Sequence, residues 1–205
     1  MTSLRMDAHK SVLVMVDFQE RLMPAIADGE NVLQRAGFLT QVAQELTVPT
    51  IGTAQNPGRL GPNLPPVGDR LDVVVEKMTF GGGAGGLDSA LYAYPDRPEI
   101  VVAGCEAHVC LLQTALELLE SGAHGRRVWV VADACGSRHP SDRDAAMARL
   151  RQAGAVVVTA EMVAFEWLHT AEHPSFKAVS RLVKELSAPT LAPRPNGRDE
   201  SPGAV

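Results

Sequence analysis

Six short runs rich in β-branched residues recur along this chain. Each run is continuously apolar, which is typical of strands that are covered on both faces. The runs lie at residues 11–16, 48–54, 72–77, 99–104, 127–133 and 155–160. Segments with helical periodicity lie between them, at residues 31–46, 111–122 and 140–154. This alternation predicts an α/β fold with three layers (α/β/α), in which helices cover both faces of a mostly parallel six-stranded sheet.

The patterned part of the chain predicts one domain and a tail. The chain has 205 residues, enough for one domain with a large core. Residues 1–186 contain all the strand and helix patterns, and residues 187–205 are rich in proline, glycine, serine and charge. We therefore expect a domain over 1–186 and a disordered tail over 187–205. Ser141 and Asp144 suggest a capping box at the start of the helix at 140–154.

Charge and composition disfavour several kinds of partner. The formal net charge is -5 and no basic run is visible, which argues against nucleic acid and against an anionic membrane. No apolar stretch approaches the roughly 18 residues of a spanning helix, and the first ten residues lack a signal-peptide core. The three cysteines show no disulfide or metal spacing. We expect a cytoplasmic protein with reduced thiols and a small-molecule substrate.

Two loops have unusual composition. Residues 56–69 are too rich in proline and glycine to predict regular structure. The segment FGGGAGG at 80–86 lacks the GxGxxG spacing and the downstream acidic residue of a dinucleotide site. A flexible link or lid beside a pocket is favoured over a phosphate-binding loop.

Reactive side chains follow three of the predicted strands. Asp17 follows the first strand, Lys77 ends the third, and Cys110 lies in GCEAHVC after the fourth. The carboxyl ends of parallel strands meet at one edge of a sheet, so we expect these groups to converge. We predict that Cys110 begins the helix 110–121, where the helix dipole and Lys77 would favour the thiolate. Asp17 could then take the thiol proton and return it to a leaving amine.

This arrangement predicts hydrolysis of a carbonyl compound through a covalent thioester, with backbone N–H groups of residues 105–110 binding the oxyanion. Each residue also has a plainer interpretation. A cysteine at a strand–helix junction is often a small buried residue, and Cys105 and Cys135 fit that role. Asp17 alone could be a turn or cap residue, and Lys77 alone a solvated charge.

Three ordered segments resemble the isochorismatase-like cysteine hydrolases. They are VMVDFQ, VEKMTF and VAGCEAHVCLLQTA, and the resemblance extends over residues 10–186. It is closest to the isochorismatase domain-containing subgroup, through TAQNPGRLGP and DACGSRHPSDRDAAMARLRQAGA. The resemblance implies the three-layer fold and a triad matching Asp17, Lys77 and Cys110. It also implies a cis peptide between Cys105 and Glu106, oxyanion donors in the N–H groups of Glu106 and Cys110, and a homo-oligomer. Residues 160–186 offer apolar surface for such assembly.

The chain departs from the nicotinamidases of this superfamily. Those enzymes carry an Asp-x-His metal pair after the second strand, whereas residues 53–57 here contain neither carboxylate nor imidazole. The six histidines are scattered, and His169 and His173 are interpreted as surface residues. We therefore expect no metal and no organic cofactor.

The cysteine favours an amide, imide or carbamoyl substrate, because true isochorismatases cleave a vinyl ether without one. Gln19, Gln55 and Phe80 are expected to flank the substrate pocket. Three alternatives stay open: a non-catalytic binding or regulatory protein, a vinyl-ether hydrolase, and a redox sensor in which Cys105 or Cys135 resolves Cys110.

Overall fold

A computed structural model of the chain describes residues 4–121 and 126–187. Six strands form one sheet in the order β3-β2-β1-β4-β5-β6, and every neighbouring pair is parallel. The strands are β1 Ser11–Val16, β2 Thr50–Gln55, β3 Val73–Lys77, β4 Glu99–Cys105, β5 Arg127–Gly136 and β6 Val156–Val158. The α/β prediction with a parallel six-stranded sheet is confirmed.

Helices flank this sheet. They are α1 Gly29–Glu45, α2 Pro57–Leu60, α3 Pro65–Gly68, α4 Asp88–Leu91, α5 Leu112–Glu120, α6 Pro140–Gln152, α7 Ala160–Leu168 and α8 Phe176–Ser187. Helix α1 contacts α7 and α8, whereas α5 contacts α6. The connections β1-α1-β2 and β4-α5-β5 run in opposite directions along the sheet. Right-handed crossovers therefore place α1 and α5 on opposite faces.

The order of strands reverses between β1 and β4, at the centre of the sheet. Ligands of open α/β sheets bind beyond the carboxyl ends of strands at such a switch point. Val16 at the end of β1 pairs with Thr53 on one side and with Gly104 on the other. A Cβ atom added to Gly104 would lie 2.5 Å from the carbonyl oxygen of Val16, so this pairing requires glycine.

Several local predictions were wrong. Residues 56–69 contain α2 and α3, each of which has proline in its first turn, where a missing N–H costs no helical hydrogen bond. Strand β5 continues past Asp133 to Gly136, beyond a register shift against β4. Strand β6 is shorter than predicted, because Ala160 already begins α7.

The predicted capping box of α6 is also wrong. The N-cap is His139, with no side-chain capping hydrogen bond, and Pro140 occupies the first turn. At the other end of the domain, α8 runs to Ser187. The tail predicted at 187–205 lies outside the described residues beyond Ser187, and its disorder stays a prediction. Across the described parts of the chain, no helix combines the length and the apolar character that a membrane crossing requires.

Candidate active site

Asp17 lies directly after β1 and is fully buried. Its φ of 55° is in the left-handed region, which aspartate tolerates better than most residues. Its Oδ1 accepts a hydrogen bond of 2.6 Å from the hydroxyl of Thr53, and its Oδ2 accepts one of 2.8 Å from Lys77 Nζ. Both carboxylate oxygens are thus held, one by a residue of β2 and the other by a residue of β3.

Lys77 is the last residue of β3, and its side chain is fully buried. Besides Asp17, its ammonium donates to Gln55 Oε1 at 2.8 Å and to the carbonyl of Phe80 at 3.2 Å. A buried charge needs an opposite charge and satisfied hydrogen bonds. These partners supply both, so that the ammonium is fixed beside the carboxylate.

Cys110 lies in a π-type turn, Ala107–Leu111, which leads into α5, and it is 6% exposed. The pKa of its thiol is raised from 9.0 to about 12, chiefly by burial and then by the charge of Asp17, whereas Lys77 lowers it. The effect of Asp17 on this pKa shows that its carboxylate lies beside the thiol. The arrangement brings together the thiol, the carboxylate and the ammonium that the sequence placed at one sheet edge.

Two expectations about Cys110 need correction. The helical segment begins at Ala107, with Glu106 as its N-cap, so Cys110 is inside its first turn and does not start it. The thiol pKa was expected to be lowered, but burial and the adjacent carboxylate outweigh Lys77. The raised pKa favours the protonated thiol in the resting site.

Glu106 opens the turn that carries Cys110. The peptide between Cys105 and Glu106 is cis, as the resemblance implied. The carbonyl of Glu106 accepts the N–H groups of Val109 at 3.1 Å and Leu111 at 3.2 Å. Its own N–H makes no hydrogen bond to any described residue, which leaves this donor available to a ligand. Its carboxylate pairs with Arg138 Nε at 2.8 Å.

The three predicted pocket residues have different environments. Gln19 is buried, and its amide binds the backbone: Nε2 donates to the carbonyls of Gln55 and Gly61, and Oε1 accepts the N–H of Gln55. Gln55 joins Lys77 to the carbonyl of Met78. Phe80 is 54% exposed, and its carbonyl accepts a hydrogen bond from Lys77. Their contribution to substrate specificity stays a prediction.

Thr53 belongs to the site, but its hydroxyl was not predicted from the sequence to have a role there. It was considered only as a position without a metal ligand. Its hydroxyl reaches Asp17 because Thr53 pairs with Val16, the residue before Asp17. The signal that could have identified it is its place at the end of β2, beside β1.

The glycine-rich segment is more ordered than a flexible link. Residues Gly83–Leu87 form a π-type turn that continues into α4, and Glu117 Oε2 of α5 accepts the N–H of Gly83 at 2.8 Å. A Cβ atom on Gly85 would lie 2.6 Å from Lys77 Cβ. The segment therefore lies directly against the lysine of the site.

The other two cysteines are buried. Cys105 and Cys135 are 0% and 1% exposed, and burial raises the pKa of each thiol. All three cysteines are free thiols. His108 turns towards β5, where its Nδ1 lies 2.9 Å from Ser137 Oγ.

No three histidine, cysteine, aspartate or glutamate side chains gather into a potential metal site within 4–121 and 126–187. His124 lies outside the described residues. The absence of a metal cofactor stays a prediction.

Comparison with known proteins identifies the family. A family model described as Isochorismatase domain matches residues 11–162. The chain belongs to the isochorismatase family. Isochorismatase domain-containing protein 2 of Xenopus laevis is 36% identical to it over 189 residues, 90% of this chain and 91% of that protein. The similarity therefore extends over most of both chains.

Two solved structures resemble the isochorismatase-family fold described above. MAR1 ribonuclease from Caenorhabditis elegans has a TM-score of 0.82 and 31% identity, covering 92% of this chain and 97% of that one. YcaC from Escherichia coli, an octameric hydrolase of unknown specificity, has a TM-score of 0.76 at 21% identity, covering 91% and 99%. The second likeness extends to the fold alone.

Proposed function

We propose that this protein is a cysteine-dependent hydrolase that cleaves a small amide, imide or carbamoyl compound. The family supports a hydrolase. The observation that carries the finer proposal is the position of Asp17 beside the Cys110 thiol, whose pKa its charge raises, with the Asp17 carboxylate itself held by Lys77 and Thr53. A nucleophile, its base and the group that orients the base form the usual unit of covalent catalysis.

The first half-reaction forms a thioester. Asp17 accepts the thiol proton while the Cys110 sulfur attacks the carbonyl carbon, and the carbonyl electron pair moves to oxygen. The N–H groups of Glu106 and Cys110 are the proposed donors to that oxyanion. When the intermediate collapses, the carbon–nitrogen bond breaks and the amine leaves with the proton from Asp17.

The second half-reaction regenerates the thiol. A water molecule attacks the thioester carbonyl, and Asp17 accepts a proton from that water. The carbon–sulfur bond then breaks, and the sulfur of Cys110 takes the proton back from Asp17. Lys77 keeps the carboxylate in position and offsets the negative charge that builds up during both attacks.

Burial favours a small substrate. Asp17 and Lys77 are covered, and Cys110 is only 6% exposed. The ribonuclease name of the C. elegans relative makes RNA hydrolysis the second candidate. A net charge of -5 disfavours a polyanionic substrate, so the predicted absence of a nucleic-acid partner is retained.

Mass spectrometry of a trapped intermediate tests the proposal. Protein incubated with a panel of small amides, imides and carbamoyl compounds is quenched in acid, and the peptide carrying Cys110 is examined for an acyl adduct. We expect an adduct that hydroxylamine releases, which is lost in Cys110→Ala and kept in the matched control Cys135→Ala. Turnover of a vinyl ether, assayed alongside this panel, that persists in Cys110→Ala would instead support vinyl-ether hydrolysis, in which the thiol has no part.

Two further outcomes would favour either RNA cleavage or a role without catalysis. RNA cleavage that requires Cys110, without hydrolysis of any amide, would favour the nuclease. Neither adduct nor turnover with any substrate class would favour a binding or regulatory protein.

Assembly and location complete the proposal. We infer that the protein forms a homo-oligomer, as YcaC, an octamer with a similar fold, does. We also infer that it is located in the reducing cytoplasm, which is consistent with its three free thiols. Within residues 160–186, Trp167 and Leu168 belong to the core, whereas Met162 and Phe165 are exposed. Met78 and Phe80, beside the active site, are also exposed. Sedimentation velocity of Phe165→Ser and of Phe80→Ser shows which of these two exposed surfaces is needed for oligomer formation.

A further inference from the structure

The proposed catalytic residues are almost completely covered. Asp17 is 0% exposed, Lys77 3% and Cys110 6%. A carbonyl compound that reacts with the sulfur of Cys110 needs room beside that atom, so part of the cover has to move before a substrate can enter. The contacts of the glycine-rich residues 79–86 identify the part that can move.

Residues 79–86 contact the lysine of the site at two points. Lys77 Nζ donates to the carbonyl of Phe80 at 3.2 Å. A Cβ atom on Gly85 would lie 2.6 Å from Lys77 Cβ, so the backbone of the segment packs directly against the lysine side chain. Moving the segment away would take an acceptor from the ammonium and expose its aliphatic chain.

The other side of this segment lies on α5. A Cβ atom on Gly82 would lie 3.0 Å from Thr114 Cγ2, and Glu117 Oε2 accepts the N–H of Gly83 at 2.8 Å. Thr114 and Glu117 follow Cys110 by four and seven residues, and side chains at this spacing lie on one face of a helix. The segment therefore covers the face of α5 that continues from Cys110.

The glycines let the Glu117 carboxylate approach the backbone of the segment. A Cβ atom on Gly81 would overlap that carboxylate, and one on Gly83 would lie 3.1 Å from its Oε2. Glu117 is half-buried. Its carboxylate is thus enclosed by backbone, and a side chain at either glycine would displace it.

Little apolar surface holds the segment down between its two ends. Met78, Phe80 and Ala84 are all exposed, so the apolar side chains between β3 and Leu87 contribute nothing to the buried core. Leu87 is fully buried and anchors the start of α4. Gly86, with a φ of 108°, has a backbone conformation that favours glycine and provides a hinge. Opening the segment therefore costs little hydrophobic stabilisation.

We propose that residues 79–86 form a lid over the proposed active site and that Glu117 holds this lid closed. The inference rests on the proposed function, because a lid serves a site that admits and retains a substrate. Hydrogen bonds to charged acceptors are stronger than those between neutral groups, so the bond from Gly83 to Glu117 is suited to hold the middle of the lid. Closure also returns the Phe80 carbonyl to Lys77.

Alkylation of Cys110 tests the lid without requiring a substrate. The full chain is treated with iodoacetamide at about pH 8, and peptide mass spectrometry gives the rate for Cys110. Cys135, which is 1% exposed, reports any general unfolding. Glu117→Ala removes the acceptor of the Gly83 N–H and should accelerate alkylation of Cys110 about tenfold or more. The rate for Cys135 should not change.

Three more variants separate the lid from the charge of Glu117. Glu117→Gln removes the charge but keeps an acceptor, so it should accelerate alkylation less than Glu117→Ala does. Gly82→Ala keeps the charge and should also accelerate alkylation, because its Cβ would lie 2.9 Å from Leu87 Cδ2 and 3.0 Å from Thr114 Cγ2. Glu120→Ala, at an exposed position of α5, is the matched control and should react as the wild type does. Should Glu117→Ala or Gly82→Ala fail to fold, the other still tests the lid.

Four results would overturn the proposal. They are a wild-type Cys110 as reactive as in the urea-unfolded chain, unchanged reactivity in a folded Glu117→Ala or Gly82→Ala, equal acceleration in Glu117→Gln and Glu117→Ala, and an acceleration that Cys135 shares. The first would mean that the site is open. The third would mean that the charge of Glu117 acts on the thiol, and the fourth that the whole domain loosens.

Failure of the proposed function is a separate result. If the variants accelerate alkylation of Cys110 as expected while no amide, imide or carbamoyl compound is turned over, the lid stands and the hydrolase proposal fails. If turnover requires Cys110 but Glu117→Ala does not change its alkylation, the hydrolase proposal stands and the lid fails.

Discussion

Thr53 donates its hydroxyl hydrogen to Asp17 Oδ1 over 2.6 Å, on the opposite oxygen from the one that accepts Lys77. The carboxylate is therefore oriented by residues of two strands, β2 and β3, independently of Cys110, which follows β4. Its position depends on the register that pairs Thr53 with Val16.

Replacing Thr53 by valine tests this hydrogen bond. Thr53→Val keeps the shape but leaves Asp17 Oδ1 buried without its hydroxyl donor, so the free energy of unfolding should fall by about 1–3 kcal/mol. Thr53→Ser keeps the donor and should lose less. Urea denaturation measures both. A valine variant at least as stable as the serine variant would contradict the role of the hydroxyl.

The pair of Asp17 and Lys77 should show strong coupling in a double-mutant cycle. Lys77→Met alone leaves a buried carboxylate without its cation and should lower the free energy of unfolding by about 3–5 kcal/mol. Adding Asp17→Asn removes that charge, and asparagine tolerates the same left-handed backbone. We expect the double variant to be more stable in urea than Lys77→Met. Additive losses would mean that the two charges do not interact.

The pH dependence of Cys110 alkylation should move in opposite directions in two variants. Asp17 raises the pKa of the thiol and Lys77 lowers it. Asp17→Asn should therefore shift the midpoint of iodoacetamide alkylation to lower pH, and Lys77→Met should shift it to higher pH. Peptide mass spectrometry separates Cys110 from Cys135, whose profile serves as the internal control. Shifts of the same sign in both variants would refute this account.

Buried thiols should make the fold sensitive to alkali. Burial raises the pKa of Cys135 from 9.0 to about 12. The unfolded chain releases this proton first, so the thiol's contribution to stability is complete below about pH 9 and declines as the pH rises towards 12. From about pH 8 to about pH 10, the stability difference between wild type and Cys135→Ala should change by about 1 kcal/mol, to the detriment of the wild type. If the stability difference between wild type and Cys135→Ala, measured by urea titration, did not depend on pH, this account of the Cys135 thiol would be contradicted.

Gly85 should tolerate no side chain, because its Cβ would lie 2.6 Å from Lys77 Cβ. Gly85→Ala should displace Lys77 and lower the free energy of unfolding by about 1–3 kcal/mol. It should also shift Cys110 alkylation towards higher pH, in the same direction as Lys77→Met. Gly58→Ala is the matched control, since its Cβ would meet nothing within 4 Å. Equal behaviour of the two alanine variants would rule out the contact.

The convergence of Asp17, Lys77 and Cys110 was predictable because it follows from topology. Continuous apolar runs imply a parallel sheet, and parallel strands deliver their carboxyl ends to one edge. The residues at or just after the carboxyl ends of the strands, read from the sequence, are then enough to predict which side chains meet in the site. The same reasoning predicted the sheet and its principal helices.

Other features depend on information that local patterns do not carry. The contact of Thr53 with Asp17 depends on interstrand register, and the raised pKa of Cys110 depends on burial and on the proximity of a carboxylate. Prolines that look like breakers instead begin α2 and α3, because a first helical turn needs no N–H from them. The end of β5 depends on a bulge against β4.

Strand β3 is at an outer edge of the sheet, and Val73 and Val74 are 42% and 49% exposed. Edge elements with few buried contacts open locally at lower free energy than the centre of a fold. Lys77 is thus the last residue of an edge strand, whereas Asp17 and Cys110 follow the two central strands. Fraying at this edge would separate the ammonium from its carboxylate while the rest of the domain stays folded. In mild denaturant, the reactivity of Cys110 should therefore change before circular dichroism records any loss of helix.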